Sequence, residues 1–165
     1  MFTEQQTKEL IALVVQQTKL ATDLRHTLDD EKLALTNRDR LKIEVCASQK
    51  LDLMSQLETL EQSRCLDLGR WHPGVNPRKM SQVFAQIPKE QKSNAAKHFK
   101  QLRQTLRACA RQNQINGAII HVAKQFTQRV LATLRGQATL PAEASLYGPN
   151  GQAFSAAETQ SVITV

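Results

Sequence analysis

Apolar residues recur through most of this chain at steps of three and four, the period of one buried helix face. Thr3 and Gln6 are spaced as a capping box, so a first helix should begin near Glu4. Leu10, Leu13, Gln17, Leu20, Leu24, Leu28 and Leu35 then mark its inner stripe, with Gln17 as the polar interruption. The pattern lapses at Thr36-Asn37-Arg38-Asp39, where cap-type residues cluster. A reversal is expected there, because residues 4–68 would otherwise form one unpaired helix of roughly 95 Å. The second helix carries Leu41, Val45, Leu53, Leu57, Leu60 and Leu68, widened by Leu51 and Met54. Gly69, Pro73-Gly74 and Pro77 should break it. Asn76-Pro77 can cap and start a short helix whose Met80, Val83, Phe84 and Ile87 share a face before Pro88. That helix is read as a plug for the end of a bundle in preference to a contact patch.

The last helix has the most regular pattern. Phe99, Leu102, Leu106, Cys109, Asn113, Asn116, Ile120, Ala123, Thr127, Val130 and Leu134 alternate steps of three and four without a slip. A heptad seam of that length predicts coiled-coil packing. Ile119, Val122 and Phe126 add a second apolar strip beside it, leading to Val130. This strip is either a binding groove for a partner helix or a wider core against the short helix. Arg135-Gly136 reads as the helix stop, a cation and a glycine at the carboxyl end. From Ala138 onward large apolar residues are few, too few to offset roughly 1–2 kcal/mol per residue of ordering entropy. The expected fold is therefore an elongated, all-α, antiparallel three-helix bundle or coiled coil. Its helical domain would span 1–136, with helices near 4–35, 38–68, 76–87 and 89–135, and residues 137–165 would be a flexible tail.

Composition supports that class. No glycine or proline precedes Gly69, so the regular turns of a strand-rich domain are missing. Cys46, Cys65 and Cys109 are odd in number and widely spaced, so a reducing cytoplasm is expected in place of a disulfide framework or zinc site. The start MFTEQQTKEL lacks a basic n-region and the apolar run Leu10–Val15 is short, so neither a signal peptide nor a membrane span is expected.

Charge is divided unevenly. Residues 1–68 hold 9 Lys/Arg against 12 Asp/Glu, a balance of −3, whereas residues 69–136 hold 13 against Glu90 alone, a balance of +12. The tail carries only Glu143 and Glu158. Partial self-compensation, with acidic first helices against the basic last one, accounts for some of this surplus. Nucleic acid, an anionic membrane or an acidic protein surface would account for more.

Catalytic chemistry is not in evidence. His26, His72, His98 and His121 have no metal-binding spacing, and the chain has no phosphate loop, GxSxG or CxxC. No cofactor or metal is expected. Two features stand out instead. Asn113 and Asn116 sit on the apolar seam, where a buried amide either fixes register or marks an opening beside Gly117. Leu146-Tyr147-Gly148-Pro149-Asn150-Gly151 sets a tyrosine on a turn within a polar segment. That tyrosine either folds back on the bundle or serves as a recognition element.

Asn113-Gln114-x-Asn116-Gly117, a helix ending at Leu134, then Leu146-Tyr147-Gly148 and Gly151-Gln152, together resemble the FlgN family of flagellar export chaperones. The likeness covers about 40 of the 165 residues. Ala118 is smaller than the residue often found there, the spacer before Leu146 is long, and the Trp71 connector has no clear counterpart. The resemblance implies a cytoplasmic, non-enzymatic chaperone, monomeric and binding its client one to one. It would hold the hook-associated proteins FlgK and FlgL by their C-terminal helices and dock on the export-gate protein FlhA. It implies gate docking through Asn113, Asn116 and Tyr147, with the helix end and tail contacting the client. Read with the apolar strip, client binding falls on Ile119, Val122, Phe126 and Val130. Two other classes fit parts of the pattern: a basic helical nucleic-acid-binding protein, and a structural coiled-coil oligomer. The first lacks aromatics for base stacking, and the second leaves LYGPNG without a purpose.

Overall fold

In the computed structural model, residues 1–135 are described, together with the backbone of residues 146–147 and 153–154. The fold is all-α. Helix α1 spans Glu4–Asn37, α2 Arg40–Trp71, α3 Met80–Gln86 and α4 Lys89–Leu134. Thr3 caps α1 through a full capping box: Gln6 N donates to the Thr3 hydroxyl at 3.1 Å, and Thr3 N donates to Gln6 Oε1 at 2.9 Å. The reversal falls where the hydrophobic pattern lapses. Arg38 takes the left-handed conformation, with φ 56°, and its N–H closes α1 on the Ala34 and Leu35 carbonyls. Asp39 then caps α2 by accepting from Lys42 N at 3.1 Å.

The connector departs from expectation in two places. Gly69 does not break α2, which continues to Trp71; the chain leaves the helix at His72, ahead of Pro73-Gly74. An isolated glycine costs a helix only about 1 kcal/mol, less than the packing of Leu68 beneath it can supply. Asn76 does not cap α3 either. Its side chain accepts from Arg78 N at 2.9 Å, an Asx turn that delays the helix to Met80.

Residues Met1–Ile120 form one compact unit. Within it α1 and α2 are antiparallel, since Gln17 meets Glu61 and Glu31 meets Lys50. α4 runs parallel to α1: Cys109 Sγ donates to the Ala21 carbonyl at 3.2 Å and Asn116 Nδ2 to the Leu28 carbonyl at 2.9 Å. The inner face of α1 is Thr7, Leu10, Val14, Gln17, Ala21, Leu24, Leu28 and Glu31, a heptad stripe in which every third or fourth residue is buried. The main core joins Leu10, Val14, Leu68, Phe99 and Leu102 to Val83 of α3 and to Ile87, which follows it. α3 thus closes one end of the unit. Phe2 reinforces that closure, with its N–H on the Gln86 carbonyl at 2.7 Å and its ring edge-on to Trp71 at 6.0 Å. Phe84 meets Phe99 in the same way at 5.2 Å. The connector tryptophan is therefore part of the plug.

Few residues of α2 are fully buried. Cys46, Arg64 and Leu68 are its buried residues, with Leu53 and Leu57 packed partway against the Leu24–Leu28–Cys109 cluster. Leu41 and Val45, expected on the inner stripe, are exposed, as are Leu51 and Met54. The face that turns inward instead is Cys46, Lys50, Leu53, Leu57, Glu61, Arg64 and Leu68. Its heptad spacing was hidden by three charged residues.

Residues His121–Val165 form a second unit. It contains the end of α4 and a two-stranded antiparallel pair, β1 (Leu146–Tyr147) with β2 (Ala153–Phe154), in which Leu146 faces Phe154 and Tyr147 faces Ala153. The expected flexibility of 137–165 otherwise concerns residues outside the described ones. Among the described residues no helix is long and apolar enough to cross a membrane.

Candidate functional site

The two seam asparagines have different surroundings. Asn113 is exposed. Asn116, three residues on, is 1% exposed, and its amide is fully used: Nδ2 donates to the Leu28 carbonyl at 2.9 Å and to Glu31 Oε2 at 2.8 Å, while Oδ1 accepts from Gln112 Nε2 at 2.9 Å. Glu31 is itself buried and takes Lys50 Nζ on its other oxygen at 2.7 Å. One polar layer thus ties α1, α2 and α4 together at a single level. An amide there costs little because every polar atom has a partner, and it permits only one register between the helices. Gly117 is exposed, with nothing within 4 Å of where a Cβ would stand, so no close approach requires glycine.

A second polar layer lies nearer α3. Gln17 Nε2 donates to Glu61 Oε2 at 3.0 Å, and Arg64 grips the same carboxylate with Nε at 3.0 Å and Nη2 at 2.6 Å. Burial pushes the Glu61 carboxyl up, but hydrogen bonds from Arg64 and Gln17, with the Arg64 charge, outweigh it and hold the group below its ordinary 4.5. Arg64 also sits over the Phe99 ring, 5.9 Å from its centre. Sequence reasoning missed Glu31, Glu61 and Arg64, since charged residues on a helix are read as solvated by default. Their heptad spacing from Leu24, Leu57 and Leu68 was the available signal.

Along the α4 seam Phe99, Leu102, Cys109 and Asn116 are buried. Leu106 and Ile120 are exposed within the first unit, and Ile119 is half-buried. In the second unit Val122 is 64% exposed and Phe126 63%, with Val130, Leu131 and Leu134 also exposed. Within the first unit α3 packs with Ala95 and Phe99. Val122, Phe126 and Val130 share one face of α4 at spacings of four, and large apolar side chains this open are a usual mark of a partner surface. Tyr147 lies in β1, paired with Ala153; its side chain is outside the described part of the structure.

Self-compensation of charge is not seen as ion pairs. Among the described residues the one interhelical pair joins α1 to α2, and no cation of α4 meets a carboxylate within 4 Å. Burial pushes the thiols of Cys46, Cys65 and Cys109 up, the opposite of what an activated nucleophile needs. No group of three or more His, Cys, Asp or Glu among the described residues is placed to hold a metal ion.

The family model described as FlgN protein matches residues 1–154 of the chain. No curated protein and no solved structure matches it.

Proposed function

The chain belongs to the FlgN family, whose members are flagellar export chaperones, and from that premise we propose that it is a cytoplasmic chaperone for FlgK and FlgL. It binds their C-terminal helices one to one, keeps them unassembled and delivers them to the cytoplasmic domain of FlhA. One observation carries the client half of this reading: Val122 and Phe126, one turn apart on α4, each keep more than 60% of their surface open. An amphipathic client helix would lay its apolar face along Ile119, Val122, Phe126 and Val130, the helix-in-groove mode of recognition. Burying such side chains on binding is worth about 1.5–3 kcal/mol each before ordering costs.

Gate docking is assigned to Asn113 and Tyr147, with Asn116 acting with them. Asn113 is exposed, which supports its part in docking. Asn116 would contribute by holding the α4 backbone in register beneath it, because its own amide is committed to Leu28, Glu31 and Gln112.

Co-purification of the tagged full-length chain from its own cells tests the function. Recovery of FlgK or FlgL supports it. Recovery of nucleic acid in their place, released by salt, would assign the basic segment to a different role.

A further inference from the structure

One feature of the first unit is not used by the proposed client strip or the docking residues. A groove of about 780 Å³ opens between α2, α3 and α4. Its apolar floor is Met80 and Phe84 from α3 with Phe99, Leu102 and Leu106 from α4. Lys100, Arg103 and Arg107 line it from α4, spaced three and four apart beside the Phe99–Leu102–Leu106 row, and all three are exposed. Among the described residues no carboxylate lines it. Arg64 lines it from α2. That side chain is 6% exposed, and while Nε and Nη2 hold Glu61, the buried Nη1 has no hydrogen-bond partner. A buried guanidinium nitrogen without a partner is costly to maintain, and a carboxylate is its natural complement.

We propose that this groove is an interaction surface for an amphipathic helix of a partner protein whose apolar stripe is flanked by carboxylates. An apolar row and a cationic row side by side, each repeating at three and four over two turns, match the same two rows on another helix. Carboxylates on the flank of that helix meet Lys100, Arg103 and Arg107, the exposed cations of the groove. The occupant accounts for part of the +12 balance of residues 69–136 that internal ion pairs leave unused. The inference does not rest on the client assignment.

The test uses the full-length chain and two synthetic helical peptides with one apolar face, one flanked by Glu at i, i+4 and i+7 and the other by Gln at those positions. Fluorescence anisotropy should show the Glu peptide binding about tenfold more tightly, as three screened ion pairs together would give, with the gap closing as salt rises. Arg103→Glu with Arg107→Glu, both exposed positions, should remove that preference while far-ultraviolet circular dichroism is unchanged. Leu106→Glu should weaken both peptides. Equal affinity for the two peptides, or indifference to the charge reversal, overturns the proposal. So does tighter binding of a random DNA duplex that the same reversal abolishes. A dimer of the chain alone that the reversal dissociates would give the groove to a second copy instead. Binding of FlgK and FlgL is measured on the same preparations: a chain that takes its clients but not the Glu peptide loses this inference and keeps its function, and the converse separates the two the other way.

Discussion

Asn113→Ala and Asn116→Ala are the same chemical change three residues apart, and the structure gives them opposite consequences. Asn116→Ala deletes three hydrogen bonds at a position 1% exposed. The bond to the Glu31 carboxylate, at 2.8 Å, is charge-assisted and worth about 1.5–3 kcal/mol. Glu31 keeps Lys50 as a partner, but one buried carboxylate oxygen loses its donor. The Leu28 bond adds about 1 kcal/mol, and the vacated amide leaves a small void. Together the expected loss is about 2–4 kcal/mol, a large share of the 5–15 kcal/mol typical of a domain. Asn113→Ala, on the exposed face, should change stability by less than about 0.5 kcal/mol. Equilibrium urea unfolding followed by circular dichroism measures both. A double-mutant cycle pairing Asn116→Ala with Glu31→Gln should return a coupling of about 1 kcal/mol or more, since the two share one bond. A loss below about 1 kcal/mol for Asn116→Ala, or additive behaviour in the cycle, would refute the polar-layer role. The result also governs how docking data are read, because a gate-binding defect in Asn116→Ala has to be compared at equal folded fraction.

Phe126→Asp should leave the unfolding free energy from urea titration within about 0.5 kcal/mol of wild type, since the residue is 63% exposed, while abolishing FlgK and FlgL binding; unfolding would return the residue to a core. Because Glu61 titrates below its ordinary 4.5 when folded, its contribution is fully present above that value and is lost as pH falls through the lowered one. Urea midpoints should therefore drop faster below pH 4.5 in wild type than in Glu61→Gln, and parallel curves would contradict the Gln17–Glu61–Arg64 layer. Tyr147→Ala should leave client affinity within a few-fold and sharply reduce binding of the loaded chaperone to the FlhA cytoplasmic domain, measured by titration against each partner separately; lost client binding with unchanged gate binding would reverse the assignment.

The helical class, the start of α1 and the reversal at Thr36–Asp39 were legible because each rests on local chemistry. The capping box at Thr3 and Gln6, the cap-type cluster at Thr36–Asp39 and Pro88 before α4 all act within a few residues of where they stand. The α1 stripe was legible in part: Leu10, Gln17, Leu24 and Leu28 are buried as expected, but Val14 and Ala21 turn inward where Leu13 and Leu20 were expected, and those leucines and Leu35 are only half-buried. The α2 stripe could not be read correctly. Leu41 and Val45 are as apolar as buried residues, and only the presence of α4 against the far half of α2 decides that Arg64 goes in while Leu41 stays out. Periodicity alone cannot rank a leucine against an arginine when the arginine has a carboxylate and an aromatic ring to meet.

The candidate sites were legible in part. The odd polarity of Asn113 and Asn116 flagged them both, but their spacing of three gave no sign that one would be sealed and the other open. That depended on Glu31, 85 residues away in sequence. The extra apolar strip at Val122 and Phe126 was visible as a surplus over what one seam needs. Its exposure depends on packing that periodicity alone does not show. The groove at Arg64 had no sequence signal beyond the basic excess, since it is assembled from three helices.

The most direct measurement of the central claim is a calorimetric titration of the purified full-length chain with FlgK and with FlgL, each intact and each lacking its C-terminal helical segment. Saturable one-to-one binding to the intact proteins, lost on removal of that segment and lost again with Phe126→Asp, is the predicted result. No binding to either intact protein, or binding that survives removal of the segment, would contradict it.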